Sequence, residues 1–257
     1  MRILVKLGGA LLDNAELRGR IAREIAETAA NGRYQLVLVH GGGKQMTRYL
    51  AERGVESRFI DGLRVTTPDV IDAVVKVFAG SVNAELVTAL RAAGAQPVGL
   101  SGLAAGLVDA EALNPELGQV GKPVHSDARL LEILTGAAYL PVVACIAGDS
   151  RGLIYNVNAD QMAVACASAF RAEKLLFLTD VEGVRDASGR VRDVLGCDEA
   201  QALIRAGVAT GGMHAKLEAA IEALHHDVGE VLIAPGARSG IVRDVLEGLR
   251  IGTRLTP

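Results

Sequence analysis

Six short runs of Val, Leu and Ile, spread along the whole chain and separated by longer amphipathic stretches, limit the possible folds more than any other feature. They are RILVKL (2–7), QLVLVH (35–40), QPVGLS (96–101), LPVVAC (140–145), KLLFLT (174–179) and EVLIA (230–234). The runs are continuously apolar rather than alternating, as in strands covered on both faces. Helical patterns lie between them, over 14–31, 44–54, 68–93, 127–136, 159–171, 197–207, 214–227 and 239–248. Asp13, Asn158 and Ser239 stand where N-caps are expected, and Gly32, Gly54 and Gly94 where helices should stop. This alternation predicts an α/β fold with an open, mostly parallel sheet sandwiched by helices. Two stretches break the rhythm: 101–126 reads as hairpins or a loop, and 148–157 as another hairpin. A chain of 257 residues leaves one large domain or two fused lobes open. If there are two lobes, the chain passes between them near residue 172 without a flexible spacer.

Composition removes several function classes. Half of the residues are hydrophobic but only 3% are aromatic, so the core is expected to be Ala, Val, Leu and Ile. A formal charge of −3 gives no basic face for nucleic acid. No apolar stretch approaches the roughly 20 residues of a membrane span, and the first residues carry no signal-peptide pattern. Cys145, Cys166 and Cys197 are odd in number and widely spaced, with no CxxC pair, which argues against a disulfide framework or a structural zinc site. Cys145 and Cys166 lie inside apolar runs and read as core residues. A cytoplasmic protein with no membrane and no nucleic-acid partner is expected.

In open α/β sheets ligands bind beyond the carboxyl ends of the strands. The first strand runs into Lys6-Leu7-Gly8-Gly9 and the second into His40-Gly41-Gly42-Gly43-Lys44. Glycines alone could merely make the turns, but two such turns after the first two strands favour anion binding by backbone N–H groups. Neither G-x-x-x-x-G-K-[ST] nor a helix-opening G-x-G-x-x-G is present, which argues against P-loop and Rossmann sites. Lys6 ends a buried strand, where an unpaired ammonium is costly and an anionic ligand would offset the cost. Arg64, within Asp61–Thr66, is able to hold a carboxylate bidentately. Asn156 and Asn158 share a face if their segment is extended, and Asp160 follows them. Asp180-Val181-Glu182-Gly183-Val184 follows the fifth strand, and Thr210-Gly211-Gly212 precedes Lys216 on an amphipathic helix. The five histidines, His40, His125, His214, His225 and His226, read as structural or surface residues.

Seven segments in this order resemble the amino-acid kinase family: VKLGGALL (5–12), VHGGGK (39–44), DGLRVT (61–66), NVNADQ (156–161), LTDVEGV (178–184), TGGMHAK (210–216) and IGTRL (251–255). Within it the branch that phosphorylates N-acetylglutamate is most similar. The resemblance implies a two-lobed αβα fold, with 1–172 binding the acceptor and dimerising and 173–257 binding ATP. It implies transfer of the γ-phosphoryl group of ATP to a carboxylate in arginine biosynthesis. Lys6 and Lys216 would be catalytic, with Asp160 between them. Gly42, Gly43, Arg64, Asn156 and Asn158 would bind the acceptor. Gly8, Gly9, Asp180, Val181, Gly183, Thr210 and Gly212 would bind the nucleotide. Mg²⁺ would travel on the ATP phosphates, with no protein metal ligands. A homodimer insensitive to arginine is implied. Two other readings stay open, a kinase acting on carrier-protein-linked aminoadipate or glutamate and a non-catalytic nucleotide-binding module. One departure from the family pattern, Leu103-Ala104-Ala105 after Gly102, bears on acceptor specificity.

Overall fold

All six apolar runs become strands of one sheet in the computed structural model, which describes residues 1–257. The chain begins with β1 (Arg2–Leu7), α1 (Gly9–Asp13), α2 (Ala15–Ala30), β2 (Gln35–His40) and α3 (Gly43–Ala51). A short pair, β3 (Phe59–Ile60) and β4 (Leu63–Arg64), precedes α4 (Pro68–Val74), a π-helical stretch (Val75–Val82) and α5 (Asn83–Ala92). Next come β5 (Pro97–Ser101), β6 (Val108–Ala112), β7 (Val120–Ser126), α6 (Arg129–Gly136), β8 (Leu140–Ala144), β9 (Ile146–Gly148) and β10 (Ile154–Val157). The remainder is α7 (Ala159–Ala169), β11 (Lys174–Thr179), β12 (Val194–Gly196), α8 (Cys197–Arg205), α9 (Gly211–His225), β13 (Glu230–Pro235), α10 (Ile241–Leu246) and β14 (Thr253–Thr256).

The large sheet has the order β12-β14-β13-β11-β1-β2-β8-β5. Its pairings are parallel except β13 with β14. β1 is central, with Lys6 in register with Val39 of β2 and Phe177 of β11. Helices cover both faces, so β1, β2, β11 and β13 each bury five of six residues. That is why these runs read as continuous rather than alternating. The sheet crosses residue 172 without a break through the β1–β11 pairing, and one hydrophobic cluster of 68 residues runs through the molecule. Cys145 and Cys166 lie in that cluster.

The irregular stretch 101–126 forms the antiparallel β6–β7 hairpin, and 148–157 supplies the turn between antiparallel β9 and β10. Together these four strands close a small barrel. Two expected caps are displaced by one residue. α1 extends through Asp13, so Asn14 caps α2 by accepting from Leu17 N at 2.9 Å. Gly240 rather than Ser239 precedes α10, and its N–H donates to Glu24 Oε1 of α2 at 2.7 Å. β12 and β14 are only three and four residues long, too short for a pattern to announce them.

The helix expected over 68–93 is continuous but widens to π turns over Val75–Val82. This stretch packs against the glycine turn after β2: a Cβ on Gly42 would lie 2.9 Å from Phe78 Cδ1 and 3.1 Å from Val82 Cγ2. The next residue, Asn83, donates from Nδ2 to His40 Nε2 and to the Val142 carbonyl, both at 2.9 Å. His40 is fully buried and its Nδ1–H donates to Gly41 O at 2.9 Å. Burial holds its pKa down to about 4, against the smaller upward pull of the Gly41 carbonyl. The unfolded chain therefore binds a proton near pH 6.5 that the folded chain refuses until about pH 4. The stability this neutral ring contributes is complete above pH 6.5 and declines as pH falls toward 4, by ~3 kcal/mol in total. Urea unfolding at pH 7 and pH 4.5 should show this loss, and a His40→Gln variant should show a shallower pH dependence over the same window. An equally steep dependence in the variant would assign the loss to other groups.

Candidate active site

Lys6 lies at the carboxyl end of the central strand and is 7% exposed. Its partner comes from the first turn of α7. Asn158 caps that helix, its side-chain oxygen accepting from Asp160 N at 2.8 Å and Gln161 N at 3.3 Å. The cap fixes the turn that aims Asp160, itself 5% exposed, at two lysines. Lys6 Nζ is 2.6 Å from Asp160 Oδ1, and Lys216 Nζ, from α9, is 3.1 Å from Asp160 Oδ2. Burial alone would raise the Asp160 carboxyl, but the two ammonium groups together outweigh it and hold it below the usual carboxylate range. The triad thus carries two cations, Lys6 buried and Lys216 partly buried, on one buried anion. An excess of positive charge at low exposure is stabilised by a bound anion.

A third cation faces the same space. Arg64, on β4, is 8% exposed and forms no ion pair. Its guanidinium donates to Ser57 Oγ, to Thr47 Oγ1 at 2.8 Å and to Gly43 O at 3.2 Å, and lies 4.6 Å from the centroid of the Phe59 ring. Burial lowers its pKa from the ordinary arginine value, although a guanidinium stays charged in proteins. Thr66 connects it to Asn156: Thr66 Oγ1 donates to Arg64 O at 2.8 Å and accepts from Asn156 Nδ2 at 3.0 Å. Arg64 and Asn156, 92 positions apart in sequence, are brought together by a threonine whose residue type alone announces no such role.

Lys6, Gly8, Gly9, Arg64, Asp180 and Lys216 all line one cleft of about 360 Å³. Gly43 lines it as well, and so do Lys44, Thr47, Phe59 and Thr179, which the sequence left without a function. The two glycine turns meet there, since a Cβ on Gly9 would lie 3.6 Å from Gly43 N. The amides of Gly9, Gly42 and Gly43 fall at helix starts, where N–H groups lack intrahelical partners. Gly8 differs from the expectation: its N–H donates to Leu178 O at 2.9 Å and is not free for a phosphate. Gly8 instead allows close approach, because a Cβ would stand 3.0 Å from that carbonyl.

The other residues expected at a nucleotide lie near the start of α9 and after β11. Thr210 precedes α9 and Gly212 is one turn before Lys216, on the same face. Asp180 accepts from Thr179 Oγ1 at 3.1 Å, and the Val181 side chain is exposed. Gly183 has a packing reason to be glycine. At φ 149° it lies where a Cβ would be 2.7 Å from Thr253 Oγ1 and 2.8 Å from Val191 Cγ1. Thr253, from the IGTRL segment, accepts from Val184 N at 2.8 Å and so secures the 180–184 loop to β14. Asn158, grouped in sequence with Asn156, has its side-chain oxygen occupied by the cap, leaving only its Nδ2 for a ligand. Leu103 and Ala104, at the departure from the family pattern, line a separate cavity with Asn83 and Gly99 rather than the cleft.

The family model described as the amino acid kinase family matches residues 1–235. The chain is 60% identical over 255 residues to the acetylglutamate kinase of Solibacter usitatus, covering 99% of both chains. It is 44% identical to the acetylglutamate kinase of Acidobacterium capsulatum, over 95% of each. Among solved structures it superposes on smu.665 from Streptococcus mutans with a TM-score of 0.85 at 31% identity, covering 99% of this chain and 98% of that one. It also superposes on N-acetylglutamate synthase from Neisseria gonorrhoeae, complexed with coenzyme A and N-acetyl-glutamate, with a TM-score of 0.88 at 25% identity. That match covers 100% of this chain and 59% of the synthase chain.

Proposed function

Since the chain belongs to the amino acid kinase family, we propose that it transfers the γ-phosphoryl group of ATP to the side-chain carboxylate of N-acetyl-L-glutamate, forming ADP and the acyl phosphate. The observation that carries this reading is the largely buried Lys6–Asp160–Lys216 triad, with its excess positive charge, opening on the same cleft as Arg64, which has no ion pair. Such a cleft is built for two anions brought together. The step would be one of the arginine biosynthetic pathway, run by a cytoplasmic homodimer.

Phosphoryl transfer asks a protein for positioning and charge stabilisation more than for covalent chemistry. A side-chain carboxylate with a reference pKa of about 4.3 is already ionised at neutral pH and needs no general base. Its oxygen attacks the γ-phosphorus while the bond from that phosphorus to the β–γ bridging oxygen breaks, and the electron pair leaves with ADP. Lys6 and Lys216 neutralise the transferring group, Lys6 nearer the leaving oxygen, and Asp160 holds both ammonium groups in place. The amides of Gly9, Gly42 and Gly43 add fixed positive dipoles. Arg64 holds the α-carboxylate of the acceptor, while the Nδ2 groups of Asn156 and Asn158 face its acetamide. The nucleotide lies along Asp180–Val184 and Thr210–Gly212, with Mg²⁺ carried on its phosphates. In this reading residues 1–172 hold the acceptor and the dimer contact, and residues 173–257 the nucleotide.

An ATP-consumption assay with N-acetylglutamate, glutamate and aspartate in parallel tests the reading. Only N-acetylglutamate should support turnover and yield a hydroxylamine-trappable acyl phosphate. Equal turnover of free glutamate, or none of N-acetylglutamate, would defeat it. Light scattering should give the mass of two chains, and a monomer would remove the dimer.

A further inference from the structure

Four cations line the cleft, and three of them are accounted for. Lys6 and Lys216 share Asp160, and Arg64 has Ser57, Thr47 and the Gly43 carbonyl as acceptors. The fourth, Lys44, lines the same cleft and makes neither an ion pair nor a side-chain hydrogen bond. It lies in the first turn of α3, which holds no acidic residue. A cation at that end of a helix opposes the helix dipole, and the neighbouring glycine amides add positive potential of their own. Lys44 therefore adds nothing favourable to the electrostatics of the fold itself, whereas a bound anion would gain from it.

The position also indicates which anion. Lys44 is next in sequence to Gly43, whose carbonyl accepts from Arg64, and lies within the turn that ends at Thr47, whose hydroxyl does the same. The residues around it thus serve Arg64 and not the triad. We propose that Lys44 is a second cationic contact for the α-carboxylate of the acceptor, beside Arg64, so that the acceptor's non-reacting end is held by two charges. The assignment rests on the function proposed above and deepens it: the acceptor class is a dicarboxylate whose α-carboxyl is free.

Steady-state kinetics of Lys44→Gln and Lys44→Arg test it, and the exposure of Lys44 makes both variants compatible with the fold. In Lys44→Gln the KM for N-acetylglutamate should rise roughly tenfold, with kcat and the KM for ATP within about twofold of wild type. Lys44→Arg should recover most of the loss. Added salt should weaken acceptor use more steeply in wild type than in Lys44→Gln, because one screened contact is gone. The α-amide of N-acetylglutamate, which lacks the charge in question, should compete equally well against wild type and Lys44→Gln. An unchanged acceptor KM, a matching rise in the KM for ATP, or an equal loss with the α-amide would overturn the assignment. Wild-type turnover of N-acetylglutamate in the same assay separates the two readings. If it is present and Lys44→Gln is indistinguishable, Lys44 alone loses its role. If it is absent, the proposed function falls first.

Discussion

Lys216→Ala should lower kcat by roughly 10²–10³-fold while N-acetylglutamate still binds with near wild-type affinity. The expectation follows from where the ammonium sits. Lys216 projects from α9 to within 3.1 Å of Asp160 Oδ2, and none of the groups around Arg64 comes from that helix. Truncation leaves Asp160 paired with Lys6 alone, so the triad changes from a net positive charge to a neutral pair. The charge that developed on the transferring phosphoryl group then meets no surplus cation. The folded state should tolerate the change, because Asp160 keeps the Lys6 contact at 2.6 Å. Lys216→Arg should recover little, since a planar guanidinium does not replace a compact ammonium between two oxygens. Single-turnover acyl phosphate formation, with acceptor affinity measured separately by calorimetry, separates the two effects. Near wild-type formation in Lys216→Ala would show that the triad does not act on the transferring group.

What the sequence could and could not disclose follows from how far each signal reaches. Continuous apolar runs mark strands buried on two faces, so β1, β2, β8, β11 and β13 were legible to within a residue or so. β12 and β14 have too few residues for any period, and β14 joins the sheet antiparallel to β13 at its edge. Lys6 was legible because an ammonium at the end of a buried strand needs a reason. Lys216 and Asp160 are legible only through family resemblance, since nothing local says that β1 and α9 bring their lysines to one carboxylate of α7. Asn156 and Asn158 looked equivalent in an extended chain, yet backbone geometry assigns one to Thr66 and the other to the cap of α7. Thr66 and Thr47 could not be found from residue type, because a threonine orienting an arginine looks like any other threonine. Gly8 and Gly183 look in sequence like ligand turns, while the structure gives both a steric reason to be glycine. Lys44 carries a signal legible in sequence: a cation in the first turn of a helix, where the dipole disfavours it.

The second large effect is on stability and has a signature that ordinary core damage lacks. Asp160→Asn keeps the size of the side chain but leaves buried Lys6 and partly buried Lys216 facing one another with no anion between them. Removing one member of a buried charge cluster costs about 3–5 kcal/mol. For a chain of this size that corresponds to a fall in Tm of roughly 10 °C. The cost should be present throughout pH 5–8. The paired lysines hold the Asp160 carboxyl below its usual range, so its contribution is complete above the unfolded carboxyl pKa and is lost only as pH falls through the lower folded value. MgATP should then act differently on the two proteins. In wild type the phosphates compete with Asp160 for the lysines, whereas in the variant they become the only anion available. Saturating MgATP should therefore raise the Tm of Asp160→Asn by more than that of wild type and narrow the gap between them. Activity should stay low, because lysines held only by the nucleotide lose the fixed separation that Asp160 imposes. Thermal unfolding with and without MgATP reads this directly. A gap that stays constant or widens with nucleotide would mean that the lysines do not meet the phosphates, and the triad would be structural.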